Sequence, residues 1–171
     1  MIKTEVKVFN NGLQELPQHS TEYSAGFDFR ADYSKIKSGM DFLGDSETFE
    51  YDNVTKTLIL FGGGRVLIPT GLHIALPDGY ELQVRPRSGL ALKHGITIVN
   101  SPGTVDQDFR GFIGIILLNT SNKPFEIKEG ERIGQGVLNR VEQVQWISVN
   151  SVEELGESGR GEKGYGSSGR K

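Results

Sequence analysis

The chain has 171 residues with a formal net charge of −3, three histidines and no cysteine, enough for one domain with a buried core or a domain plus a tail. Without cysteine there are no disulfides, thiolate metal sites or cysteine nucleophiles. His19, His73 and His94 form no pair at helical ligand spacing, which argues against a protein-held zinc, and the slight acidity argues against a large nucleic-acid footprint.

The opening Met1-Ile2-Lys3-Thr4-Glu5 alternates charge and builds no apolar run, so neither a signal peptide nor a membrane span is expected, and the expectation is a cytoplasmic protein. In that setting the sequons Asn53-Val54-Thr55 and Asn119-Thr120-Ser121 carry little meaning. Residues 34–64 are polar and glycine-bearing apart from Phe49-Glu50-Tyr51 and Thr57-Leu58-Ile59-Leu60-Phe61. Those two runs, separated by Asp52-Asn53, predict an extra hairpin grafted onto the domain at about 35–64.

From 65 to 85 the apolar residues Val66, Ile68, Leu72, Ile74, Leu76, Tyr80, Leu82 and Val84 fall on even positions, with mostly polar residues between them. This period of two predicts strands, with turns expected at Pro69-Thr70-Gly71 and Pro77-Asp78-Gly79. A short helix is predicted over 89–94, its N-terminal amides favouring an anion. Ile96, Ile98 and Val99 continue the strand pattern, as do Phe125 with Ile127, residues 137–141 and residues 144–149. Residues 112–118 are apolar on both faces, which predicts a strand buried from both sides, a subunit interface being one way to achieve that. The glycine- and serine-rich tail 156–171 cannot bury enough surface to offset its ordering entropy and is expected to be mobile. Its Gly159-x-Gly161-x-x-Gly164 matches a dinucleotide fingerprint literally, but no preceding strand or following helix gives it a context.

Two segments carry chemistry. Arg87-Ser88-Gly89-Leu90-Ala91 offers a cation, a hydroxyl and flexible backbone amides, the makings of an anion cradle. Gly103-Thr104-Val105-Asp106-Gln107-Asp108-Phe109-Arg110-Gly111 sets a carboxylate in a glycine-bounded turn, where it can activate a water. The same residues also read as two polar turns of a β protein.

In order along the chain, Ala25-Gly26-Phe27-Asp28-Phe29-Arg30-Ala31, Pro86-Arg87-Ser88-Gly89-Leu90-Ala91, Asn100 through Gly111, Gly130-Glu131-Arg132-Ile133-Gly134-Gln135, and Arg160-Gly161 with Gly164-Tyr165-Gly166-Ser167-Ser168-Gly169 resemble the five motifs of the homotrimeric dUTPase family. The resemblance covers nearly everything except about 35–64. It implies an all-β, distorted jelly-roll or β-clip subunit with one short helix, assembled as a homotrimer. It divides the chain into a β domain at 1–155 and a flexible C-terminal arm at 156–171. The implied reaction is that of a dUTP diphosphatase: hydrolysis of dUTP to dUMP and pyrophosphate, which limits uracil in DNA and supplies dUMP for dTMP synthesis.

By the same resemblance Asp106 is the general base for water attacking the α-phosphorus, and Asp28 holds waters on a Mg²⁺ carried mainly by the triphosphate. Arg87, Ser88, Gly89, Gln135, Arg160, Ser167 and Ser168 correspond to phosphate contacts. Asn100, Gly103, Val105, Phe109 and Tyr165 take the uracil and deoxyribose, with the backbone of a β-hairpin around 100–103 reading the base and Tyr165 stacking over it. Phe109 stands where the family usually has tyrosine, and Gly134 where alanine is usual. The tail would close as a lid, and one site would combine the third motif of one subunit, the first, second and fourth of another, and the fifth of a third.

Bland readings run alongside. Asp28 also reads as a turn carboxylate, Arg110 as the ion-pair partner of Asp106, Gln135 as an interior amide and Tyr165 as an exposed tail aromatic. Two other functions are weighed: a regulatory protein on the same fold using the insertion to grip a protein partner, and a dCTP deaminase. The deaminase pattern resembles Arg-Ser-Ser and needs a glutamate in the strand after the third motif. Here the second motif reads Arg87-Ser88-Gly89, and Ile113-Gly114-Ile115-Ile116-Leu117-Leu118-Asn119 has no carboxylate.

Overall fold

The computed structural model describes residues 3–159 and 161–162. In chain order its strands are β1 (Lys7–Asn10), β2 (Phe27–Arg30), β3 (Leu43–Gly44), β4 (Phe49–Asp52), β5 (Thr57–Leu60), β6 (Arg65–Ala75), β7 (Tyr80–Arg85), β8 (Ile96–Ile98), β9 (Gly103–Val105), β10 (Phe112–Asn119), β11 (Phe125–Lys128) and β12 (Arg132–Arg140). The single α-helix among the described residues, α1 (Ser88–His94), follows β7 and stops at Gly95. Contacts cluster into two compact units, Met1–Val141 and Glu142–Lys171.

Three antiparallel sheets build the first unit. One runs β1-β6-β10-β8 with β3 also on β6, one runs β2-β12-β7-β9, and a smaller one runs β11-β5-β4. The even-numbered pattern seen in the sequence is the inward face: Val66, Ile68 and Leu72 on β6, Leu82 and Val84 on β7, all buried. They share a core with Ile113, Ile115 and Leu117 of β10 and Phe29 of β2. Burial of such side chains contributes roughly 1.5–3 kcal/mol each, which fixes the register, because a one-residue slip would turn each strand inside out.

The Pro77-Asp78-Gly79 turn forms and carries the chain from β6 in one sheet to β7 in another. Pro69-Thr70-Gly71 does not turn. β6 runs straight through it, and the irregularity is absorbed as a bulge where Phe112 faces His73 and Gly114 already faces Pro69. Gly71 supplies the positive φ of 72° that a bulge needs, and a proline without an N–H is tolerated there. The freed backbone groups are taken up by the loop after β1, through Asn11 N–H to Gly71 O (2.8 Å), by the segment after β2, through Asp32 N–H to Pro69 O (2.9 Å), and by the Thr70 hydroxyl on Ile113 O (2.7 Å).

Strands β4 and β5 pair in the register Asp52 opposite Thr57, and β5 pairs on its other side with β11. Segment 35–64 is therefore woven into the unit rather than hung from it. Leu58 and Leu60 are fully buried, and Tyr33 packs edge-on against Phe42 and Tyr51. On β10, Ile113, Ile115, Leu117 and Asn119 are buried, whereas Gly114, Ile116 and Leu118 are half-buried and Phe112 is exposed. Burial on both sides thus fails within one chain: one face meets the core and the other remains partly open. Asn119 is wholly buried and bonded to Leu60 O and Lys123 O, so its sequon is inaccessible.

In the second unit, residues 144–149 do not form the expected strand. An extended run becomes a strand only when a neighbour takes its backbone hydrogen bonds, and none of the described residues does so here. A 3-10 turn follows at Val152–Leu155, and Trp146, Ile147 and Leu155 expose most of their surface.

Candidate active site

Three of the sequence motifs converge at one end of the β2-β12-β7 surface. Gln135 on β12 lies opposite Asp28 on β2 and, on its other side, opposite Arg85 at the end of β7. Antiparallel pairing thus sets the first and fourth motifs side by side, and the chain leaving β7 delivers the second motif to the same place. Arg87 Nε donates to Asp28 Oδ1 (3.0 Å), and its Nη1 donates to the carbonyl of Arg132 (3.0 Å). Arg132 Nη1 donates to Asp28 Oδ2 (3.3 Å). Gln135 Nε2 donates to Pro86 O (2.8 Å), tying the fourth motif to the start of the second.

One carboxylate between two guanidiniums leaves the cluster with a net positive charge. Among the described residues Arg87 Nη2 takes no partner, so donors remain for an anion. Ser88 and Gly89 sit exposed at the first turn of α1, whose leading N–H groups have no partner within the helix. The predicted start at 89 is therefore off by one residue, which places the Ser88 hydroxyl on the helix itself. Beside the cluster runs a polar cleft of about 590 Å³, lined in part by Glu15, Gln18, His19, Asp28, Arg132 and Gln135.

Arg132 is a component that the sequence did not single out as a site residue. Its one available signal was a cation three positions before Gln135 in the fourth motif. Only the strand pairing shows that it shares Asp28 with Arg87. Conversely, the surface ion pair expected between Arg110 and Asp106 does not form: Arg110 Nη1 donates to the carbonyls of Gln107 (2.7 Å) and Phe109 (2.8 Å).

The third motif lies elsewhere. Leu82 pairs with Val105 and Val84 with Gly103, so Asp106 emerges beside Glu81, at the opposite end of β7 from Arg87. Counting strand spacings and rise, Asp106 and Asp28 of one chain are roughly 20 Å apart. Asp106 is exposed and opens a turn closed by Phe109 N–H on its carbonyl (3.1 Å). Phe109 is exposed, its ring lying against Gly111.

Asn100 is exposed in the turn after β8, and Gly103 is buried. The expected hairpin around 100–103 is instead a link between sheets, because β8 pairs with β10 while β9 pairs with β7. A Cβ on Gly103 would stand 3.1 Å from Asn100 Nδ2 and 3.4 Å from Val84 Cβ, so the loop closes directly over the strand. Arg160, Tyr165, Ser167 and Ser168 lie outside the described residues. Among the described residues no group of three or more His, Asp or Glu side chains is placed to hold a metal ion, and no helix is long and apolar enough to cross a membrane.

Comparison with known proteins places the chain in a family. The dUTPase family profile matches residues 51–169. The deoxyuridine 5'-triphosphate nucleotidohydrolase of Fusobacterium nucleatum subsp. nucleatum is 45% identical over 170 residues, spanning 99% of this chain and 100% of that protein. The fold is shared with the dUTPase of Staphylococcus bacteriophage 80alpha, solved with dUPNHPP, at a TM-score of 0.76 and 22% identity over 98% of this chain and 99% of that one. It is shared too with a variant of the dUTPase from Staphylococcus aureus phage phi11, described as coordinating a structural Mg(II) ion, at a TM-score of 0.67 and 17% identity over 88% and 99% of the two chains.

Proposed function

This chain belongs to the dUTPase family, and we propose that it carries out the hydrolysis of dUTP to dUMP and pyrophosphate with Asp106 as the base that activates water. The enzyme is a dUTP diphosphatase. Asp106 is exposed on a turn, where its carboxylate can accept a proton from water attacking the α-phosphorus. Arg87, with Ser88, Gly89 and Gln135 around it, binds the phosphates. The guanidinium already fixed by Asp28 approaches them without reorganising, which is how charge developing in the transition state is stabilised cheaply.

The observation that carries the arrangement is the convergence of Asp28, Arg87, Arg132 and Gln135 at a distance from Asp106. A base roughly 20 Å from the phosphate cradle serves a neighbouring copy's cradle, not its own. That supports a homotrimer in which each site draws on several subunits. The half-open apolar face of β10 supports it too. The arm beyond 155 brings Arg160, Ser167, Ser168 and Tyr165 to the nucleotide as a lid, with Tyr165 over the uracil. Backbone groups at 100–103 read the base, while Val105 and Phe109 line the deoxyribose, where the ring excludes a 2′-hydroxyl.

The donor set suits Mg²⁺ brought on the triphosphate. Asp28 is a lone carboxylate already holding two arginines, so it would hold the ion through water and not directly. When bound, the cation neutralises phosphate charge. The protein is cytoplasmic in this reading, with dUTP as its partner molecule and no role for nucleic acid or membrane. The outer surface of β4, β5 and β11, including Glu50, Asp52, Thr57, Glu126 and Lys128, is the place for any protein partner of the insertion.

Pyrophosphate release separates the readings. Wild type is expected to turn over dUTP but not dCTP or dTTP. Asp106→Asn and a chain truncated before Arg160 are expected to lose nearly all activity while still assembling. Full turnover by Asp106→Asn would remove the base from the scheme, and full turnover by the truncated chain would remove the lid.

A further inference from the structure

The ladder that places Asp106 ends one residue before it, at Val105 opposite Leu82. Beyond that point the direction of the carboxylate depends on how the turn 106–111 is anchored at its far side. The next residue supplies the anchor. Gln107 Nε2 donates to Asp78 Oδ1 (2.7 Å), and Gln107 Oε1 accepts the Gly79 N–H (3.3 Å). Both ends of one amide thus grip the turn between β6 and β7.

That turn is a firm foundation. The Gly79 carbonyl accepts the Val141 N–H (2.9 Å) at the end of β12. The next residue, Tyr80, receives Arg140 Nε on its hydroxyl (3.2 Å) and the guanidinium over its ring at 5.7 Å. On the other flank, His73 Nδ1 donates to the Arg110 carbonyl (3.1 Å), and Arg110 spans the loop's own carbonyls. The loop is therefore held at 107 and at 110, on either side of the exposed Phe109.

We propose that Gln107 is a positioning residue for hydrolysis: by clamping the third-motif loop to Asp78 and Gly79, it aims the Asp106 carboxylate at the attacking water. The proposal rests on the reading in which Asp106 is the base. Phosphate binding depends on a cluster at the other end of β7, and the loop beyond Phe109 is still held through Arg110 and His73, so losing the clamp should misdirect the base far more than it weakens the grip on nucleotide. A small misplacement of a reacting group is enough to slow chemistry substantially.

Steady-state pyrophosphate release from dUTP is measured for full-length wild type, Gln107→Ala, Asp78→Ala, the double variant and Asp106→Asn, with thermal unfolding of each. Gln107→Ala is expected to lower kcat by about tenfold with KM unchanged within about twofold. Asp78→Ala is expected to lower kcat less, because the Gly79 bond remains, and to add nothing in the double variant. Unchanged kcat in Gln107→Ala, losses that multiply in the double variant, or a KM that rises in step with the loss of kcat would each overturn the clamp. So would an unfolding temperature that falls sharply in Gln107→Ala, because the contribution would then be to folding. Asp106→Asn identifies which idea fails: inert Asp106→Asn beside normal Gln107→Ala sinks the clamp alone, whereas active Asp106→Asn sinks the base and the clamp with it.

Discussion

Asp28→Asn separates what the site contributes to stability from what it contributes to chemistry. Asp28 makes two ion pairs, at 3.0 and 3.3 Å, with its side chain 29% exposed and its partners Arg87 and Arg132 26% and 50% exposed. Partly solvated pairs of this kind contribute about 0.2–1 kcal/mol each, and the asparagine oxygen keeps one acceptor for Arg87. The folded state should lose about 1 kcal/mol, a fall in unfolding temperature of about 2–4 °C in a chain of this size. Turnover should respond far more. With the negative charge gone, two guanidiniums lose their shared counter-ion and, in the proposed scheme, the waters of an incoming Mg²⁺ lose an anionic acceptor. Removing one preorganised electrostatic group typically costs about a hundredfold or more in rate. The assay is pyrophosphate release from dUTP across a magnesium series, alongside thermal unfolding of the same preparations. Wild-type turnover in Asp28→Asn, or a loss of activity matched by a collapse of the unfolding temperature, would refute this account of the cluster.

Gly71→Ala tests the bulge: a Cβ there would stand 2.7 Å from Gly12 Cα at a φ of 72°, so a loss of about 3 kcal/mol is expected in denaturant unfolding. Leu58→Ala tests whether the 35–64 segment is structural. Leu58 is fully buried, and its truncation should destabilise the chain by about 2–5 kcal/mol, which calorimetry would register. Asp32→Asn tests a buried carboxylate: burial pushes its pKa up, but the hydroxyl and N–H of Ser34 with the N–H groups of Leu13 and Gln14 outweigh this and hold it below 3.8. A lowered folded-state value means stability that is present above pH 3.8 and lost as the pH falls through it. Urea midpoints of Asp32→Asn should therefore lie below wild type at pH 7, with the gap narrowing as the pH falls below 3.8.

Much of the fold is legible in the residues. Alternation over 65–85 marks the inward faces of β6 and β7, and Pro77-Asp78-Gly79 marks the crossing between sheets, because those signals report local preference and burial together. Pro69-Thr70-Gly71 carries the same turn chemistry yet lies within a strand. A proline, a β-branched residue and a left-handed glycine suit a bulge as well as a turn, and only the neighbours on β10 and in the segments after β1 and β2 distinguish the two. Residues 144–149 fail for a related reason. They have the composition of a strand, but a strand needs a partner that the sequence does not specify.

The proposed reacting groups are legible in the sequence alone. Asp28, Arg87, Ser88, Asp106 and Gln135 stand in the first four of five ordered motifs, and the chemistry proposed for them, a carboxylate to take a proton and cations to hold phosphate, is a property of the side chains. Tertiary structure decided which of them meet. Antiparallel pairing of β2, β12 and β7 brings Asp28, Gln135 and Arg87 together and recruits Arg132, while the pairing of β9 with β7 sends Asp106 to the far end of the same strand. Side-chain chemistry is encoded one residue at a time, but proximity depends on hydrogen-bond register between segments as much as a hundred residues apart, and no local pattern records it.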